Sequence, residues 1–159
     1  MTTRGLPDWP WTGHDTADLP LPEALLIDAT RRWAAAWLSG RPTLPAIMPP
    51  FVAEDATDAA GPAEAMIRAV ASGRSLRVGL PAAPQVVGDE ALLLLACTIC
   101  QRASRTQALA AWCAMLPPQN AYRAMGHALV MGSRLRLAGL VLSPPFCQPS
   151  CQARAGRDL

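Results

Sequence analysis

The chain has 159 residues, of which 51% are hydrophobic and 16% charged, and its formal net charge is +2. That length closes around one hydrophobic core, and that composition excludes an intrinsically disordered chain. All fourteen basic residues are arginine; with abundant Ala and Pro, this reads as the codon bias of a GC-rich, bacterial-like genome rather than as selection for phosphate binding.

The charge is unevenly spread. Residues 1–90 hold eleven carboxylates and seven arginines, whereas residues 91–159 hold seven arginines and only Asp158 as an acid. Such asymmetry marks either an anion-binding second half or an acidic first half that packs on a basic second half and neutralises it. Scattered rather than clustered arginines favour the second reading.

Residues 1–21, with Pro7, Pro10, Pro20 and the Trp9-Pro10-Trp11 unit, read as an extended arm. Its start lacks the apolar stretch of an export signal, so a cytoplasmic location is expected. The first helix is predicted over Pro22–Ser39, with Pro22 in the first turn, Glu23 complementing the dipole and Gly40 as the stop. Leu26, Ala29, Trp33 and Trp37 fall on its apolar face, and Asp28–Arg32 is a favourable i,i+4 pair. Residues 41–61, broken by Pro42, Pro45, Pro49 and Pro50, read as a connector with at most a helical turn near Phe51–Ala56.

A second helix is predicted over Pro62–Ser72, with Ala63, Met66, Ile67 and Val70 on one face and Glu64–Arg68 on the other. Leu76–Leu80 alternates with period two and suggests a short strand, for which Leu140–Leu142 is the partner available. A third helix follows over Asp89–Ser104, apolar all round at Leu92–Leu95 and therefore expected at the centre of the core. The fourth, Thr106–Leu116, is expected to open on a Thr106 N-cap and to bury Leu109, Trp112, Cys113 and Leu116. The fifth, Gln119–Ala138, places Arg123, His127 and Arg134 in a stripe facing water. The predicted fold is therefore mainly α: a single-domain bundle of about five helices over 22–142, with at most a minimal two-stranded element. Residues 143–159 read as a loosely ordered tail.

Few residues offer chemistry. The motif Cys97-Thr98-Ile99-Cys100 begins eight residues beyond Asp89, in mid-helix, away from the N-terminal turn that activates a redox thiol. Helical i,i+3 positions hold Cβ atoms about 5–6 Å apart, wider than the roughly 3.5–4.5 Å of a disulfide. Thioredoxin-like chemistry is thereby disfavoured. Zinc bound by Cys97, Cys100, Cys147 and Cys151, with His127 as a substitute, is an alternative. The 46 residues between Cys100 and Cys147 exceed the compact spacing of common zinc modules, so buried or incidental thiols are preferred and no cofactor is assigned. The sequence has no phosphate-cradling loop and no nucleophile elbow, and its second half cannot supply paired carboxylates.

The tryptophans remain. Trp33, Trp37 and Trp112 read as core, whereas Trp9 and Trp11 either fold back onto the domain or anchor a partner. The expected function is that of a small, non-catalytic helical accessory protein that binds another protein. Trp9, Trp11, Arg123, His127 and Arg134 are the candidate contact residues. A zinc- or ligand-binding domain is the runner-up, and nucleic-acid binding through the basic half is less favoured. The longest hydrophobic stretch, Ala91–Cys100, interrupted only by Thr98, is about half of the ~20 residues that span a bilayer, so no membrane partner is expected.

Overall fold

A computed structural model describes residues 10–144; Trp9, Cys147 and Cys151 lie outside them. Among the described residues the chain forms six α-helices, α1 (Leu21–Leu38), α2 (Thr43–Ala53), α3 (Ala60–Gly73), α4 (Gly88–Arg102), α5 (Arg105–Met115) and α6 (Pro118–Leu137). This is the mainly α bundle read from the sequence, with one helix more.

The additional helix is α2. Its prolines suggested a connector, because a proline inside a helix lacks an N–H and crowds the carbonyl four residues back. Packing overrides that preference: Thr43, Ile47 and Phe51 recur at four-residue spacing and are all buried against the core, Pro49 and Pro50 notwithstanding. The connector therefore becomes a helix that packs on α1 and α3.

α6 is the central scaffold, packing against α3, α4 and α5. Its inner face is lined by Ala121, Ala124, Ala128 and Gly132, all buried. Small residues there let neighbouring backbones approach closely. α4 carries a fully buried stripe of Leu94, Ala91, Ala96 and Cys97, but Leu92 and Leu95 are only half-buried, so its apolar girth does not make it the centre of the bundle.

Three local expectations are corrected. Leu76–Leu80 is not a strand, and Leu80 is exposed. Its backbone donors are taken by carboxylates from the first turn of α4 instead: Arg77 N–H donates to Asp89 at 2.7 Å and Gly79 N–H to Glu90 at 2.9 Å. The bridge that does form joins Asp15 to Gln85, antiparallel and isolated. Second, α5 starts one residue before Thr106, capped by Ser104, whose hydroxyl accepts from Gln107 N–H while Gln107 Oε1 accepts from Ser104 N–H. That reciprocal arrangement is a capping box. Cys113, expected in the core, is exposed on α5, whereas Trp112 one residue earlier is fully buried.

The arm folds back. Gly13 N–H donates to Val86 O and Val86 N–H to His14 O, both at 3.0 Å, and Thr16 N–H reaches Pro84 O at 2.7 Å. These bonds hold Trp11 against the core at a left-handed φ of 77°, unusual for a bulky residue, with its ring edge-on to His14. A short 3-10 turn over Thr16–Asp18, capped by the Asp15 carboxylate, then leads into α1.

Candidate functional site

The residues proposed for partner contact separate. Trp11 is 5% exposed and presents too little surface to anchor another molecule. Arg123, His127 and Arg134 lie on the solvent face of α6, each exposed. Tyr122 and Val130 are exposed on the same helix. Among the described residues no carboxylate comes within 4.0 Å of Arg123, His127 or Arg134; every ion pair joins side chains between Asp28 and Glu90. Neutralisation of the basic half by direct pairing to the acidic half, the favoured reading of the charge asymmetry, is therefore absent from the described residues.

The two cysteines of the CxxC motif are sealed into the interior. Cys97 Sγ contacts Met66 Sδ at 3.5 Å, and Cys100 accepts from Trp112 Nε1 at 3.0 Å. Burial pushes the Cys97 thiol well up, with the neighbouring Cys100 adding to the effect; burial also raises Cys100, partly opposed by the Trp112 hydrogen bond. Protonated, enclosed thiols are poor nucleophiles and poor ligands. Among the described residues no group of three or more His, Cys, Asp or Glu side chains is placed to hold a metal ion.

The corner where α1, α2 and α3 meet is different. Trp37, in the last turn of α1, is 55% exposed although its period placed it in the core. Its ring stacks on the buried Trp33 at 5.3 Å with planes 8° apart, and the Arg68 guanidinium lies 5.8 Å from its centroid. Beneath them one carboxylate oxygen gathers three helices. Glu64 Oε1 accepts from Thr43 Oγ1 at 2.7 Å, Arg68 Nε at 3.0 Å and Trp33 Nε1 at 3.3 Å. Burial pushes the Glu64 carboxyl up, but hydrogen bonds from Arg68, Thr43 and Trp33 and the Arg68 charge outweigh it and hold the carboxyl below its ordinary value. A tryptophan so held loses little rotamer freedom when something packs on it.

Trp37 forms one wall of an open cleft of about 520 Å³, lined also by Gly40, Arg41, Pro42, Thr43 and Arg68. Leu38, 86% exposed, follows Trp37, and Leu44 in the first turn of α2 is also exposed. Arg41 lines a second cleft too, of about 590 Å³, between α1, α2 and the Pro81–Ala82 loop. The sequence held a usable sign of this corner: Trp37 stands three residues before the Gly40 stop, at a helix end where less chain remains to cover it.

Among the described residues no helix is long and apolar enough to cross a membrane. No protein-family model, curated protein or solved structure matches the chain.

Proposed function

We propose that this chain is a non-catalytic, cytoplasmic interaction domain that binds another protein through the corner formed by α1, α2 and α3. One observation carries the reading: Trp37 is more than half exposed yet held between Trp33 and Arg68 over the Glu64 hydrogen-bond hub. Exposed aromatic and arginine side chains set in a rigid frame are the groups that dominate binding energy at protein interfaces. The interior supports the same reading, because the CxxC thiols are buried and raised and both oxygens of the buried Glu90 are engaged in structural hydrogen bonds.

The test compares capture from host cells by the wild-type chain and by Trp37→Ala, followed by titration calorimetry of the purified partner. Trp37→Ala is expected to weaken binding about thirtyfold or more, as at a hot spot. A partner that binds both proteins equally overturns this face as the contact surface.

A second reading rests on the exposed arginines of α6, Arg123 and Arg134, with His127 between them. Arg123, His127 and Arg134 would face a polyanion, a nucleic acid included, through a surface with no internal counter-charge among the described residues. Binding of that kind falls steeply with salt. Passage of the protein through a heparin column without retention at low salt removes this reading.

A further inference from the structure

We infer that the segment docking at Trp37 is acidic: an extended peptide that sets an apolar side chain on the Trp37–Leu38 surface and a carboxylate on Arg41. The inference rests on the interaction reading above and adds the chemistry of the partner.

The charge balance of the two clefts carries it. Three guanidinium groups line them, those of Arg32, Arg41 and Arg68. Two are already neutralised one helical turn away: Arg32 by Asp28 at 2.9 Å and Arg68 by Glu64. Arg41 has no carboxylate within 4.0 Å among the described residues; its Nε donates to the Ser39 hydroxyl at 3.0 Å. The corner therefore offers one uncompensated positive charge, and that charge stands where the clefts meet. A guanidinium in this position is suited to a carboxylate, which it can grip with two parallel N–H bonds.

Shape narrows the class further. Because Arg41 lines both clefts, a chain crossing it runs from the Trp37 wall toward the Pro45, Pro49 and Pro81 surface. Prolines present no N–H to pair with a passing backbone, so contact with them is apolar, and the polar side chains beside them, Asp28 and Arg32, are already paired to each other. The recognition pattern is a side chain for Trp37, an acid for Arg41, and small or apolar residues beyond.

Selection of a random-peptide phage library on the folded chain tests this, with Trp37→Ala and Arg41→Glu selected in parallel. Arg41→Glu changes an exposed side chain bonded only to Ser39, so matching thermal melts establish that it folds. Expected are peptides rich in Asp or Glu beside an apolar residue, lost with Trp37→Ala, weakened about tenfold or more by Arg41→Glu, and replaced on that variant by basic peptides. Peptides that need Trp37 but carry no acid, or that bind Arg41→Glu as tightly, overturn the acidic assignment and leave the interaction reading standing. Failure to select any peptide that depends on Trp37 overturns both. Short single-stranded DNA that binds more tightly than the selected peptides and depends on Arg41 overturns the peptide class.

Discussion

Arg31 on α1 and Glu90 on α4 form a two-pronged ion pair inside the protein, with Nε–Oε1 at 2.7 Å and Nη2–Oε2 at 2.9 Å. Neither side chain reaches solvent to more than 2%. Further bonds hold both groups: Arg31 also donates to Ala83 O and Gln85 O, and Glu90 accepts from Gly79 N–H and Val87 N–H. One pair thus joins two helices and pins the irregular segment between α3 and α4.

Breaking one side of it leaves a charge in the interior with no counter-charge, which costs about 3–5 kcal/mol. Arg31→Met is expected to lower stability by that amount in urea unfolding. Arg32→Met, which removes the half-exposed pair to Asp28, is expected to change it by less than about 1 kcal/mol. Equal effects of the two substitutions would show that the Arg31 pair does not hold the segment.

Gly79 tests the same clamp from the other side. A Cβ added there would lie 2.9 Å from Arg31 Nη2 and 3.1 Å from its Cζ. A surface arginine would swing away, but this one is fixed by its bonds to Glu90, Ala83 and Gln85. Gly79→Ala is expected to destabilise the protein by about 1–3 kcal/mol through overpacking. Gly88→Ala, where an added Cβ meets nothing within 4 Å, is the control and is expected to be neutral or slightly stabilising in the same denaturation assay.

The start of α5 yields a third expectation. Ser104→Ala removes the acceptor for Gln107 N–H and is expected to cost about 1 kcal/mol, while Thr106→Ala, inside the exposed first turn, should be close to neutral. Chemical denaturation of both variants decides which residue is the cap.

That case shows how far the sequence could be read. Helical periods located α1, α3, α4 and α6 to within about two residues, because Leu26, Met66, Leu94 and Leu135 repeat on faces that the bundle does bury. Period fails where two residues a step apart both satisfy the rule, as Ser104 and Thr106 do; only the reciprocal bond to Gln107 separates them. It fails again where tertiary packing outweighs local preference. The Thr43-Ile47-Phe51 spacing marked a helix, but three prolines within it pointed the other way. The candidate site was the least legible part. Trp33 and Trp37 sit on one helical face at i and i+4, yet one is 3% and the other 55% exposed. What separates them is where neighbouring helices end, a property of the assembled bundle.

The buried thiols give a pH dependence at the alkaline end. Burial raises both Cys97 and Cys100 above the ordinary thiol value of 9.0. The native state then keeps protons that the unfolded chain releases, so stability is intact below that pH and falls as the pH rises above it. Thermal melts from neutral to alkaline pH should show a steeper loss for the wild type than for Cys97→Ala. Peptide mapping after brief treatment with iodoacetamide should find Cys113 modified before Cys97 or Cys100, since Cys113 alone of the three is exposed. Prompt modification of Cys97 would reopen thiol chemistry as a function.

At the acidic end the group of interest is Glu64, and its behaviour bears on the proposed binding face. Its carboxyl is held below its ordinary value of 4.5 by Arg68, Thr43 and Trp33, against the opposing push of burial. A depressed native value means that the unfolded chain binds the proton first, so the contribution to stability is present above about 4.5 and disappears as the pH falls below it. Because Glu64 ties Thr43 of α2 and Trp33 of α1 to α3, protonation loosens the frame that positions Trp37. Acid titration of wild type and Glu64→Gln, followed by near-ultraviolet circular dichroism of the stacked Trp33–Trp37 pair, separates the two states. The wild-type signal is expected to fade below that pH, whereas Glu64→Gln should start weaker at neutral pH and change less. Parallel titration curves for the two proteins would mean that Trp37 is held by stacking alone, without help from the carboxylate beneath it.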